Sequence, residues 1–294
     1  MKSPFRIAVI TDEISQDLGR ALEVVSREFG MGWVELRGMW NKNVLRLDSK
    51  EIAEARRLLE RYRLRVTNIA SPLFKVDWPG APRSEFSPQR LDQFGGEFTF
   101  AQQDEVLERS IELARAFRTD RVRCFDFWRL ENPAPHRSAM DERLRDAAEA
   151  AGRKKVVLAL ENEYACNTAT AAEAARTLRA VPSPHLMLNW DPGNAAMRGE
   201  TPYPDGYSLL PRNRIAHVHC KNVEPKRGAS GMQWASMGRG TIDWTGQFRA
   251  LRRDGYRFGV SLETHWRGAG SAEESSRQCW KEMKEQLQKA GALS

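Results

Sequence analysis

The sequence predicts a single-domain (β/α)8 barrel, a TIM barrel, spanning residues 1–294. Short apolar or β-branched runs alternate with amphipathic helical runs along the whole chain, and the alternation occurs eight times. Repeated βα units imply parallel strands joined by crossover helices. The 294 residues fit the roughly 250 that such a barrel needs. A doubly wound open sheet is the alternative, but no G-x-G-x-x-G follows the first strand.

Strands are expected at Arg6–Ile10, Trp33–Arg37, Val66–Ile69, Val122–Phe125, Val156–Glu161, Leu186–Asp191, Ile215–His219 and Val260–Glu263. Helical periodicity covers Asp17–Phe29, Ser49–Tyr62, Asp104–Phe117, Asp141–Ala151, Thr170–Ala180, Trp244–Arg253 and Ala272–Ala290. Between the sixth and seventh strands, YPDGYSLLPRN has room for only a short helix. Two connections are long, from Ser71 to about Gln103 and from Lys221 to about Asp243. Both follow strand C-terminal ends, so both are expected to overhang the barrel mouth as lids.

Apolar residues make up 41% and charged residues 29%, the balance of a soluble globular chain. The net charge of +7 reads as a solvated basic exterior rather than a nucleic-acid surface. The arginines are interleaved with acids in EARRLLERYRLR and LRRDGYR and form no basic run. A modest attraction for anionic substrates fits the same charge. Four cysteines without a CxxC pair read as reduced packing residues. The opening MKSPFRIAVITDE lacks a signal-peptide apolar run, and no stretch approaches the ~20 apolar residues of a membrane span. A cytoplasmic location is therefore expected; a homo-oligomer is compatible with the sequence.

Alternate residues of a strand face opposite sides. In the last four strands the helix-facing set is apolar, whereas the lumen-facing set ends in an ionisable group: Glu161, Asp191, His219 and Glu263. Buried carboxylates cost several kcal/mol each unless compensated. A divalent cation at the C-terminal mouth removes that cost. Three oxygen ligands and one imidazole suit Mn2+, Mg2+, Fe2+ or Co2+, and Zn2+ is admissible. The plainer alternative pairs each acid separately with an arginine such as Arg37 or Arg123; four ligands on four successive strands favour the shared metal. His217 shares the parity of His219 one layer deeper, as a packing or supporting residue, and Cys220 points away from the lumen. Glu35, Arg37, Asn68 and Arg123 also have lumen parity and, with Lys75 in a mouth loop, are candidate substrate contacts. For Glu35 and Arg37 a salt-bridged barrel layer is the alternative. Trp40, Trp78, Trp128 and Trp234 can stack on a sugar face or simply pack their loops.

With these residues the chain resembles the sugar phosphate isomerase/epimerase family, the xylose-isomerase-like barrels. The resemblance rests on LALENE (158–163), NWDPGN (189–194), HVHCKN (217–222), GRGTIDW (238–244) and SLETH (261–265), with ITDEIS and VELRG near the start. It implies that Glu161, Asp191, His219 and Glu263 hold the metal. It also implies that Glu161 and Glu263 flank the substrate carbon and move its proton. Asn194 falls on a position that often contacts substrate, and Lys221 on a lysine common after the HxH. Two positions depart from the family pattern. Glu163 stands where many relatives have His, and Asn222 where many have Asp, which points to a different substrate; Glu163 joins the candidate substrate contacts. The expected reaction is isomerisation or epimerisation of a small carbohydrate, a sugar, keto-polyol or derivative, through an enediolate. A lyase or dehydratase using the same groups, a non-catalytic sugar binder, and a multi-metal phosphodiesterase are the alternatives. The five histidines of the chain are few for the last.

Overall fold

The computed structural model describes residues 2–88 and 98–294. Eight parallel strands are its centre: β1 (Arg6–Val9), β2 (Trp33–Leu36), β3 (Arg65–Leu73), β4 (Arg121–Cys124), β5 (Val157–Glu161), β6 (Leu186–Trp190), β7 (Ile215–Cys220) and β8 (Gly259–Leu262). Their order in the sheet is β1-β8-β7-β6-β5-β4-β3-β2. An Ile10–Glu35 bridge brings the two ends together, leaving a nearly closed barrel. That closure excludes the doubly wound alternative, whose sheet stays open.

The surrounding helices are α1 (Leu18–Glu23), which continues as a π-helical turn over Val24–Phe29, α2 (Ser49–Arg61), α3 (Gln103–Ala116), α4 (Arg137–Arg153), α5 (Ala171–Ala180), α6 (Pro192–Met197), α7 (Trp244–Arg253) and α8 (Ala272–Lys289). Their starts are written in the side chains. Asp48 with Glu51, and Thr170 with Glu173, form reciprocal capping boxes, while Asp17, Asp243 and Ser271 each accept a hydrogen bond from a first-turn N–H.

The structure departs from the expected elements in four places. The helix between β6 and β7 begins directly after Asp191, at Pro192, instead of within YPDGYSLLPRN. Proline suits the first position of a helix, where its missing N–H leaves nothing unpaired; the Pro-Gly pair reads as a turn in sequence and hid this. YPDGYSLLPRN itself holds only short helical turns. The 221–243 connection is not an irregular lid, because Asn222–Pro225 pairs antiparallel with Met232–Ala235. Of the Ser71–Gln103 connection, residues 71–73 belong to β3, and 89–97 lie outside the described residues. A two-residue ladder, Gly38–Met39 with Lys42–Asn43, was also not foreseen.

Among the described residues no helix is long and apolar enough to cross a membrane. All four cysteines are free and buried.

Beneath the mouth, the lumen is polar. The β2–β3 pairing slips one residue between Val34 and Glu35, so that Glu35 lies opposite Asn68; Asn68 Nδ2 donates to Glu35 Oε1 at 2.8 Å. The irregularity aims a strand residue, as bulges commonly do. Opposite them, His217 fills space that Gly259 leaves open: a Cβ on Gly259 would stand 2.4 Å from the His217 ring. Gly259→Ala is therefore expected to destabilise the fold by about 1–3 kcal/mol, as overpacking does. Urea denaturation measures this, and an unchanged midpoint would show that the layer is not tightly packed.

Candidate metal centre

Four strands deliver the four expected ligands to one place. Glu161 ends β5, Asp191 follows β6, His219 lies in β7, and Glu263 follows β8. One ligand atom from each lies within 4.8 Å of all the others, and all four residues are buried. His219 Nδ1 faces Glu161 Oε1 at 3.4 Å, Glu263 Oε2 at 3.4 Å and Asp191 Oδ2 at 3.8 Å.

The backbone around these groups is held by neighbouring side chains. Asn162 grips Asp191 from both sides: its Oδ1 accepts from Asp191 N at 2.7 Å and its Nδ2 donates to Asp191 O at 2.8 Å. Asp191 also caps α6, its Oδ1 accepting from Asn194 N at 2.9 Å. Its other oxygen, Oδ2, faces the lumen and the Lys221 ammonium. The Asn194 side chain donates to Glu161 Oε1 at 3.1 Å. Asn162 lies within the LALENE segment, and its role as a clamp on Asp191 rests on these two backbone hydrogen bonds.

Glu35 fixes the imidazole. Its two oxygens lie 3.1 Å from His219 Nε2, and Oε2 is 2.9 Å from His217 Nε2. Burial alone would raise the Glu35 carboxyl, but the charges of His219 and His217 outweigh it and hold the carboxyl well below its ordinary range. With Nε2 donating to Glu35, Nδ1 is turned toward the three carboxylates, an arrangement typical of metal-bound histidine. Glu35 and Asn68 are fully enclosed beneath the ligands. That placement suits positioning of His219 rather than contact with substrate.

Positive side chains surround the carboxylates. Lys221 Nζ lies 2.7 Å from Asp191 Oδ2 and 2.6 Å from Glu263 Oε2. Gly193 makes room for this lysine, since a Cβ there would stand 2.6 Å from Lys221 Cγ. Arg123 reaches Glu161 Oε2 at 3.2 Å and is anchored on the Ala70 and Ser71 carbonyls. Arg37 reaches Glu263 Oε1 at 3.0 Å, Asp12 at 3.0 Å and Glu13 at 2.6 Å. Burial raises carboxyls, yet His219 and Arg123 hold Glu161 down at about 2, and Lys221, His265 and His219 hold Glu263 well below its usual range. Asp191 moves the other way, to about 7, because burial and the charges of Glu161 and Glu263 outweigh Lys221. The protein's own cations therefore leave one carboxyl of the cluster under-compensated. Three carboxylate oxygens and an imidazole nitrogen form a hard-donor set that fits a divalent cation, and such an ion would add the charge that Lys221, 2.7 Å from Asp191 Oδ2, does not fully supply.

The remaining candidates lie at the rim. Lys75 Nζ lies 3.4 Å from Glu163 Oε2 and over the Phe125 and Trp128 rings at 4.7 and 5.3 Å. Trp234 packs on His265 at 4.8 Å and beneath Lys221 at 5.2 Å. Trp78 packs into the Phe100 and Phe127 cluster, and Trp40 lies partly buried against the core. Asn222, the second departure from the family pattern, organises its loop. Its Oδ1 accepts from Ile242 N at 3.1 Å and its Nδ2 donates to Met237 O at 2.9 Å, a donation that an ionised Asp lacks. Sequence reading assigned no role to Glu13 or His265, although His265 Nε2 lies 3.1 Å from Glu263 Oε1 and Glu13 shares Arg37. ITDEIS and SLETH contain both residues.

Two variants test this arrangement. Glu35→Gln removes the negative acceptor behind His219 and is expected to weaken Mn2+ affinity by roughly 10–100-fold, read by isothermal titration calorimetry. In metal-free protein a carboxyl raised from 3.8 to about 7 withdraws stability as pH climbs through that window. Metal-free Asp191→Asn is accordingly expected to melt above metal-free wild type at pH 8, while losing the stabilisation that Mn2+ gives. A lower melting temperature would contradict the charge deficit.

Comparison with known proteins agrees with the fold. The family model for the xylose isomerase-like TIM barrel matches residues 25–290. No curated protein sequence matches the chain. Among solved structures, an IolI protein with a bound zinc atom shares 15% identity over 97% of this chain and 99% of that one, with a TM-score of 0.75. The probable 3-DHS dehydratase AsbF from Bacillus anthracis, involved in petrobactin synthesis, shares 18% over 95% and 98%, with a TM-score of 0.71. A D-allulose 3-epimerase from Methylomonas sp., in complex with D-allulose, shares 17% over 98% of each chain, with a TM-score of 0.69. The chain belongs to the xylose isomerase-like TIM barrel family.

Proposed function

We propose that the chain is a divalent-metal-dependent isomerase or epimerase acting on a sugar, keto-polyol or related carbohydrate. One observation carries this reading. Two carboxylates, Glu161 and Glu263, reach the same space from strands on either side of β7, each 3.4 Å from His219 Nδ1 and each kept ionised by neighbouring cations. A substrate carbon seated between them has a base on each face.

Glu161, Asp191, His219 and Glu263 would hold the cation, which supplies the Lewis acidity that makes a proton next to a carbonyl removable near neutral pH. The chain's own residues do the rest. One glutamate takes the proton from carbon and the other returns one. Return to the opposite face gives epimerisation; return to the adjacent carbon gives isomerisation. Asn194 and Arg123 keep the Glu161 carboxylate aimed at the lumen, while Arg37 and Lys221 do so for Glu263. Lys75 and Glu163 stand at the entrance, where their paired charges suit the hydroxyl groups of a polyol. The likeness to a sugar epimerase supports this reading. The likeness to a dehydratase makes loss of a β-hydroxyl as water a second outcome open to the same two bases.

Mn2+-loaded protein is expected to incorporate solvent deuterium at the carbon beside the carbonyl of at least one ketose in a panel, read by mass spectrometry, with loss of water marking the dehydratase outcome. Glu161→Gln and Glu263→Gln are each expected to slow that exchange by about 10²–10⁴-fold. Ketose binding without exchange, equal in wild type and both variants, would instead mark a sugar-binding barrel.

A further inference from the structure

At the opposite end of the barrel, where the strands begin, the chain forms an open groove of about 780 Å³. We propose that this groove binds a small polyanion, a molecule carrying at least two phosphate or carboxylate groups. Five arginines line it: Arg6 at the start of β1, Arg65 at the start of β3, Arg56 and Arg63 on and just after α2, and Arg118 just after α3. None of the five side chains makes a hydrogen bond or ion pair among the described residues. Only Glu60 and Asp120 oppose them from the lining, and Asp120 is engaged by Arg121. Positive charge is thus in excess within one concave surface.

Two features separate this groove from a dispersed basic exterior. First, Arg65 and Arg6 converge on one indole: their guanidinium carbons lie 3.9 and 5.0 Å from the Trp33 ring centroid. Cation–π attraction holds each group in place, but the two cations repel one another. An anion in the groove offsets the excess positive charge and meets planar donor forks suited to phosphate or carboxylate. Second, Arg63 and Arg118 are not consumed by the helix ends they follow. Both have left-handed backbones, with φ of 55° and 56°. The chain turns back there through Leu64 N to Leu59 O and Thr119 N to Ala114 O, so backbone groups satisfy the terminal carbonyls of α2 and α3. The arginine heads stay available to a ligand. The sequence masks the cluster because its members are spread from residue 6 to residue 118 among acidic neighbours.

Calorimetric titration of the full-length protein with tripolyphosphate and with citrate, at matched chloride, tests the assignment. Saturable binding of one molecule per chain is expected for one or both, and the stronger of the two identifies phosphate or carboxylate as the natural group. The Arg6→Gln/Arg65→Gln double variant and the Arg118→Gln variant are each expected to weaken it roughly tenfold or more. The melting temperature of the Arg118→Gln variant should stay at the wild-type value, as that side chain is exposed. Absence of saturable binding, or binding unchanged in both variants and hence located elsewhere, would overturn the proposal. So would duplex DNA binding more tightly than either small anion.

Discussion

The structure turns on the crowding of buried ionisable groups at the mouth of the barrel. Four ligand atoms from four strands lie within 4.8 Å of one another. Three belong to carboxylates that water cannot screen. Lys221, Arg37, Arg123 and His219 hold Glu161 and Glu263 ionised, yet Asp191 still resists losing its proton. Positive charge is in short supply at Asp191, although Lys221 Nζ lies 2.7 Å from its Oδ2. Much of the surrounding architecture serves this point. Glu35 sets the His219 ring, Asn162 clamps Asp191, and Gly193 and Gly259 leave room for Lys221 and His217.

Within this cluster the ionised Asp191 works against stability, because burial and the charges of Glu161 and Glu263 raise its carboxyl to about 7; a further cation at the site would relieve that strain. A functional centre commonly carries this kind of local cost. The barrel tolerates it because the residues concerned sit at strand ends, where substitution does not disturb the helix-facing packing beneath.

The barrel and the convergence of four candidate ligands were legible in the sequence because both rest on period-two alternation. Glu161, Asp191, His219 and Glu263 fall on lumen parity in their strands, and parity survives errors of one residue at strand boundaries. What escaped depends on geometry between segments. The slip at Val34/Glu35 joins Glu35 to Asn68 and to the β7 histidines, and no local pattern announces it. Helix α6 was hidden by a Pro-Gly pair that reads as a turn. The roles of Asn162 and Asn222 lie in loop and backbone hydrogen bonds that residue type alone does not reveal. The two ends of the barrel differ in the same way: the mouth was visible as a recurring strand-end pattern, whereas the basic groove arises from five arginines that only folding assembles.

A shared divalent cation at the barrel mouth is tested most directly by anomalous diffraction from crystals soaked in Mn2+. One strong peak per chain is expected at bonding distance, about 2.0–2.6 Å, from oxygens of Glu161, Asp191 and Glu263 and from His219 Nδ1. A peak held by other residues, or full soaking with no peak in the lumen, would contradict it.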